Sequence, residues 1–136
     1  MRALAVLVAA AAVATCSSSV SAGTAGPTAL RVVFWADSAR TAPDATWTLM
    51  CNPAGGTLAR PARACARLAA GGAKLFAPVP RGVACTQIYG GPQKARVTGL
   101  VAGRHVWAVL TRTDGCQVGR WNRLVPWLLP PGGAAA

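Results

Sequence analysis

Cys85-Thr86-Gln87-Ile88-Tyr89-Gly90-Gly91-Pro92 is the stretch around which the rest of the chain is organised. Upstream lies Phe76-Ala77-Pro78-Val79-Pro80-Arg81-Gly82, so prolines and glycines punctuate the segment from both sides. This spacing predicts a long irregular loop rather than a strand or a helix. Cys85 offers a point at which the loop can be fastened to a second element. A loop stapled by a disulfide beside its tip has little freedom left to lose when a partner binds, so more of its contact energy appears as affinity.

Regular structure is predicted on either side. Leu30-Arg31-Val32-Val33-Phe34-Trp35-Ala36 is rich in β-branched and aromatic residues and reads as a first strand. Residues 46–51 read as a second, with Trp47, Leu49 and Cys51 on one face, ended by Asn52-Pro53-Ala54-Gly55-Gly56. Pro61 suits the first turn of a helix over 62–70, which Gly71-Gly72 stops. Cys65, Leu68 and Ala69 are expected on its inner face, with Arg60, Arg63 and Arg67 on a solvated side. Beyond the loop, 94–101 and 104–112 alternate around Ala102-Gly103 as a β-hairpin. A second helix is expected over about 117–124, with Val118, Trp121, Leu124 and Val125 inward, followed by an apolar tail of Trp127, Leu128 and Leu129. The sum is an α+β layer, an antiparallel sheet covered on one face by two short helices.

The chain opens on Met1-Arg2 and then runs through Ala, Val and Leu up to Thr15, an apolar stretch too short to span a bilayer of ~30 Å. Val20-Ser21-Ala22 supplies small residues for cleavage. Residues 1–22 are therefore expected to be a signal peptide, and 23–136 a single domain with a core over 28–130 and a flexible tail over 131–136. A lipidated Cys16 is the rival reading, and Thr15 directly before that cysteine fits it poorly. No later segment is long and apolar enough to cross a membrane, so the expected destination is extracellular. Removing the leader leaves four of the five cysteines, Cys51, Cys65, Cys85 and Cys116. An even number in an oxidising compartment reads as two disulfides, and three pairings are open.

What is missing narrows the function. The chain has no Glu, three aspartates (Asp37, Asp44 and Asp114), one histidine (His105), and Ser38 as its only serine beyond the leader. A serine triad or a pair of glycosidase carboxylates would have to be assembled from these alone, and no nucleophile-turn motif is present. His105 lies in an alternating apolar run and is expected to be a half-buried strand side chain. No enzyme is expected. There is no Cys-x-x-Cys, so no zinc site and no other cofactor is expected either. Loss of Arg2 with the leader lowers the net charge from +11 to +10. The cations are scattered as single arginines without a nucleic-acid motif, which reads as a basic surface rather than a nucleic-acid site. A cationic protein that binds an anionic polymer or cell wall is the alternative function.

The segment 85–92 is similar to the reactive-site segment of the Streptomyces subtilisin inhibitor family. The likeness continues through Trp47-Thr48-Leu49-Met50-Cys51-Asn52-Pro53-Ala54-Gly55-Gly56-Thr57, Ala64-Cys65, Thr113-Asp114-Gly115-Cys116 and Arg120-Trp121-Asn122. It spans roughly 28–130, with four cysteines in matching order. The resemblance implies five strands, disulfides Cys51–Cys65 and Cys85–Cys116, and dimerisation through the uncovered sheet face. In the chain-entropy account, loops of those sizes contribute roughly 3 and 4 kcal/mol.

The resemblance also implies a function, inhibition of secreted subtilisin-like serine proteases. Gln87 would fill the enzyme's primary pocket, Gln87–Ile88 would be the bond presented to the nucleophile, and Cys85, Thr86, Tyr89 and Gly90 would contact the cleft. Gln87 is uncharged, which favours subtilisin-like enzymes over trypsin. Relatives tend to carry Asn at the position of Asp114, where its amide braces the loop. An ionised Asp only accepts hydrogen bonds, so a looser loop is expected unless Asp114 turns outward as an ordinary turn acceptor before Gly115.

Overall fold

The computed structural model describes residues 25–132. The expected leader, Cys16 and the last four residues of the expected tail lie outside them. The described residues form five antiparallel strands: β1 (Thr28–Trp35), β2 (Ala45–Cys51), β3 (Gly55–Gly56), β4 (Lys94–Val101) and β5 (Arg104–Leu110). Their order across the sheet is β3-β2-β1-β4-β5. Two helices, α1 (Pro61–Gly71) and α2 (Gly115–Asn122), complete the α+β layer.

The alternation read from the sequence sets the faces. Leu30, Val32, Leu49, Ala95, Val97, Val101, Val106, Ala108 and Leu110 point into one core with Leu68, Phe76, Trp121, Leu124, Trp127, Leu128 and Leu129. On the opposite face, the central strand still buries Val33 and Trp35. The Trp35 indole lies under the Lys94 ammonium, 4.6 Å from the ring centre, and beside the Arg96 guanidinium at 5.7 Å.

Both disulfides form with the implied pairing, Cys51–Cys65 tying β2 to α1 and Cys85–Cys116 tying the loop to α2. The bridge at Cys65 rotates α1 so that Ala64 and Leu68, one turn apart, enter the core, while Cys65 flanks them half-buried. Ala69, expected inward, is exposed.

Two further expectations are corrected, those for Gly55–Gly56 and for His105. Gly55 and Gly56 were read as the end of a strand, yet they form the short edge strand β3, paired with Met50 and Leu49. Glycine has little strand preference of its own. The pairing comes from the edge of β2, with Thr57 Oγ1 accepting from the Thr48 N–H at 2.9 Å. Gly72, at φ +63°, ends α1, and a 3-10 turn over Gly72–Phe76 carries the buried Phe76 into the loop. His105 is exposed rather than half-buried, because it alternates onto the outer face beside Trp107. Ser38, whose carbonyl accepts from Lys94 Nζ at 3.5 Å, sits at one end of β4. His105 pairs with Leu100 near the other end, so about six strand residues, ~20 Å, separate the two. The fold does not bring these two side chains together.

Candidate functional site

Residues 77–93 cross the end of the sheet without regular structure, as the proline and glycine punctuation predicts. Two backbone hydrogen bonds fasten the loop to one short stretch, 112–116. The Gly115 N–H donates to the Thr86 carbonyl at 2.9 Å, and the Gly90 N–H donates to the Arg112 carbonyl at 2.7 Å. The Cys85–Cys116 disulfide lies beside the first of them. Farther along, the Ser38 N–H donates to the Pro92 carbonyl at 2.8 Å. Between these ties Gln87, Ile88 and Tyr89 stand free of the body, Ile88 61% and Tyr89 64% exposed. Exposing two large apolar side chains side by side is unfavourable in a soluble domain unless a partner covers them.

The base of the loop is rigid because α2 begins there. Asp114 is its N-cap, with Oδ1 accepting from the Gln117 N–H at 3.0 Å. Asp114 thus fixes the helix start, and the donor to the loop carbonyl is the backbone of Gly115. The Asp114 carboxylate lies close to the sulfurs of Cys85 and Cys116. Those sulfurs are bonded to each other and offer no thiolate to a metal.

The model of the family described as "Subtilisin inhibitor-like" matches residues 26–112, more than half of the chain. The chain belongs to that family. Among solved structures, Streptomyces caespitosus sermetstatin in complex with Bacillus licheniformis subtilisin is 26% identical to it, covering 70% of this chain and 91% of that one, with a TM-score of 0.47. No curated protein matches this chain.

In this subtilisin inhibitor-like chain, two buried arginines support the loop, and neither was assigned a role from the sequence, although Arg120 lies in the Arg120-Trp121-Asn122 run of the family likeness. Arg120 is 6% exposed and gathers three elements. Its Nε donates to the Ala77 carbonyl at 2.9 Å, and Nη2 donates to the Phe76 carbonyl at 3.2 Å. Its Nη1 donates to the Val109 carbonyl at 3.1 Å and to Gln117 Oε1 at 2.9 Å. Burial, and secondarily the neighbouring Arg123, holds its pKa below the usual arginine value. Arg112 is 8% exposed and donates through Nη1 to Gln93 Oε1 at 3.1 Å. A signal for Arg112 existed: it continues the inward parity of Val106, Ala108 and Leu110 past the end of β5. Nothing in the α2 pattern marks Arg120, which adjoins Trp121 on a face that reads as polar.

Proposed function

We propose that this chain is a secreted inhibitor of subtilisin-like serine proteases that offers Gln87–Ile88 as a substrate-like bond. One observation carries the reading: in a subtilisin inhibitor-like chain, an exposed tripeptide, 87–89, is tied on both sides to a single rigid stretch. Such a segment can add main-chain hydrogen bonds to a cleft edge while alternate side chains enter pockets. Cys85, Thr86, Tyr89 and Gly90 flank the bond as further contacts. Interfaces of this class bury ~1,600 Å² and include some of the tightest complexes known.

The chemistry follows from the ties. The enzyme's serine oxygen bonds to the Gln87 carbonyl carbon, the C–N bond to Ile88 breaks, and the Ile88 nitrogen leaves as an amine carrying the serine's proton. Because both ends remain on the scaffold, the amine stays near the acyl carbon. Reversal is then intramolecular and outruns hydrolysis. The leader over 1–22 would deliver the chain outside the cell. The outer sheet face, with Trp107 72% and Met50 55% exposed, would bury that surface against a second copy as a homodimer.

Titration of subtilisin with the mature protein tests the reading, and loss of activity that saturates at one inhibitor chain per enzyme is expected. Unaffected hydrolysis together with salt-sensitive retention on heparin would favour the cationic-polymer alternative. Substituting Gln87→Lys should extend inhibition to trypsin, whose pocket takes basic side chains. An unchanged enzyme spectrum would show that the reactive bond lies elsewhere. Sedimentation of Trp107→Glu as a monomer, against a dimeric parent, tests the sheet interface.

A further inference from the structure

Once the bond at Gln87 opens, its two halves are retained by different groups. The acyl half keeps the Cys85–Cys116 bridge and the Thr86–Gly115 hydrogen bond. On the amine side, residues 88–93 carry no cysteine and lead into β4, so no disulfide lies between the new amine and that strand. The first tie of this half to the body is the Gly90 N–H to the Arg112 carbonyl, and a Cβ added at Gly90 or Gly91 would come within 3.3 Å or 3.1 Å of the Arg112 side chain.

The surroundings of Arg112 are unusual for a buried cation. The one ion pair among the described residues is Arg40–Asp44. Asp37 and Asp114 accept from the backbone N–H groups of Ala39 and Gln117. Among the described residues Arg112 therefore has no carboxylate partner. Its Nη1 bonds Gln93, which is itself 8% exposed, and its Nε is buried with no hydrogen-bond partner among the described residues. A guanidinium buried this way is unfavourable, and an apolar side chain of similar volume would fill the space at lower free energy. Such a departure from good packing is expected where a site needs the group.

The group is wedged. Gly91, at φ +132°, has no room for a Cβ, which would collide with Gln93 Oε1 and press on Arg112 Nη1. On the guanidinium's other contact lies Gly132, where a Cβ would strike Cζ. The C-terminal segment that brings Gly132 there is itself held by Trp121 Nε1 donating to the Pro130 carbonyl at 3.0 Å.

We infer that Arg112 is a positioning residue for the amine half of the loop. Clamped between Gln93 and the C-terminal segment, its side chain fixes the carbonyl that holds Gly90, and so keeps the freed Ile88 amine in place for resealing. This rests on the placement of the reactive bond at Gln87–Ile88.

The test compares the mature protein with Arg112→Met, Arg112→Lys and Gln93→Met, using subtilisin as the probe. Capture of the intact loop should change little, so association rates should stay within about threefold, whereas the cleaved-to-intact ratio at equilibrium should rise by ~10-fold or more. Gln93→Met should act in the same direction, and the double variant should be no worse than Arg112→Met alone, since both remove one contact. Arg112→Lys should not rescue, because an ammonium lacks the planar fork. Amide exchange supplies a readout that needs no protease. The Gly90 N–H should exchange faster in the variants while the Gly115 N–H stays protected. Equal acceleration of both amides, no acceleration of either, or full rescue by Lys would overturn the proposal. Failure of the parent protein to inhibit would overturn the function reading instead, and the amide contrast would still decide the clamp. If Arg112→Met does not fold, Gln93→Met carries both readouts.

Discussion

Gly115 donates its backbone N–H to the carbonyl of Thr86 at 2.9 Å, with no side chain of its own facing the loop. A Cβ at 115 would run into the Thr86 hydroxyl. Gly115→Ala should therefore push the segment before Gln87 outward while leaving the helix intact, since alanine is a better helix residue by up to ~1 kcal/mol. Expected are a nearly unchanged melting temperature and an inhibition constant against subtilisin weaker by ~10²-fold, the scale of a 1 Å misplacement. A proportionate fall in both would mean that Gly115 serves the fold and not the loop.

The disulfide between Cys85 and Cys116 crosses from the loop to α2. Replacing both cysteines by alanine should lower stability by roughly 2–5 kcal/mol and turn the inhibitor into a substrate. Mass spectrometry after incubation with subtilisin should find rapid cleavage after Gln87 in the variant and a persistent intact chain in the parent.

Asp114 caps α2 through a single acceptor oxygen. Asn caps helices about as well, and it adds an amide donor beside the loop. Asp114→Asn should hold stability steady and tighten inhibition or slow cleavage at Gln87–Ile88. Asp114→Ala should cost ~0.5–2 kcal/mol by chemical denaturation. Identical kinetics for Asn and Asp would show that position 114 acts only through the helix.

Arg120 satisfies the carbonyls of Phe76, Ala77 and Val109 at once. Arg120→Met would leave these acceptors buried without a donor, so a loss of about 2–4 kcal/mol is expected by denaturant titration. The sign of its pKa shift sets the pH behaviour. A base whose folded pKa is lowered opposes folding wherever it is protonated in both states, and that opposition eases only as pH nears the folded value in the alkaline range. Arg120 should therefore add no slope to stability between about pH 5 and about pH 9. The parent and Arg120→Met should run parallel across that window.

Much of this architecture was legible because period-two alternation is a local property. The inward parity of Leu30 and Val32, and of Val106, Ala108 and Leu110, set the faces of the sheet before any contact was known. Pro61 and Gly72 marked the ends of α1 for equally local reasons. The sequence misplaced what depends on neighbours. Gly55 and Gly56 have no strand preference and pair only because β2 presents an open edge. His105 is exposed because none of the described elements covers its face of β5, and α1 turns Ala64 inward because a disulfide fixes its rotation.

By itself the chain determined the layered α+β class and the irregular stretch that displays Gln87 and Ile88, since composition and short-range spacing encode both. Only the tertiary structure decided which groups hold that stretch. Gly115 with Thr86, Arg112 with Gly90 and Gln93, and Arg120 with Ala77 are contacts between residues 19 to 43 positions apart. The role of Arg120 is hidden in a one-dimensional pattern, because three of its partners are backbone carbonyls, which every residue carries.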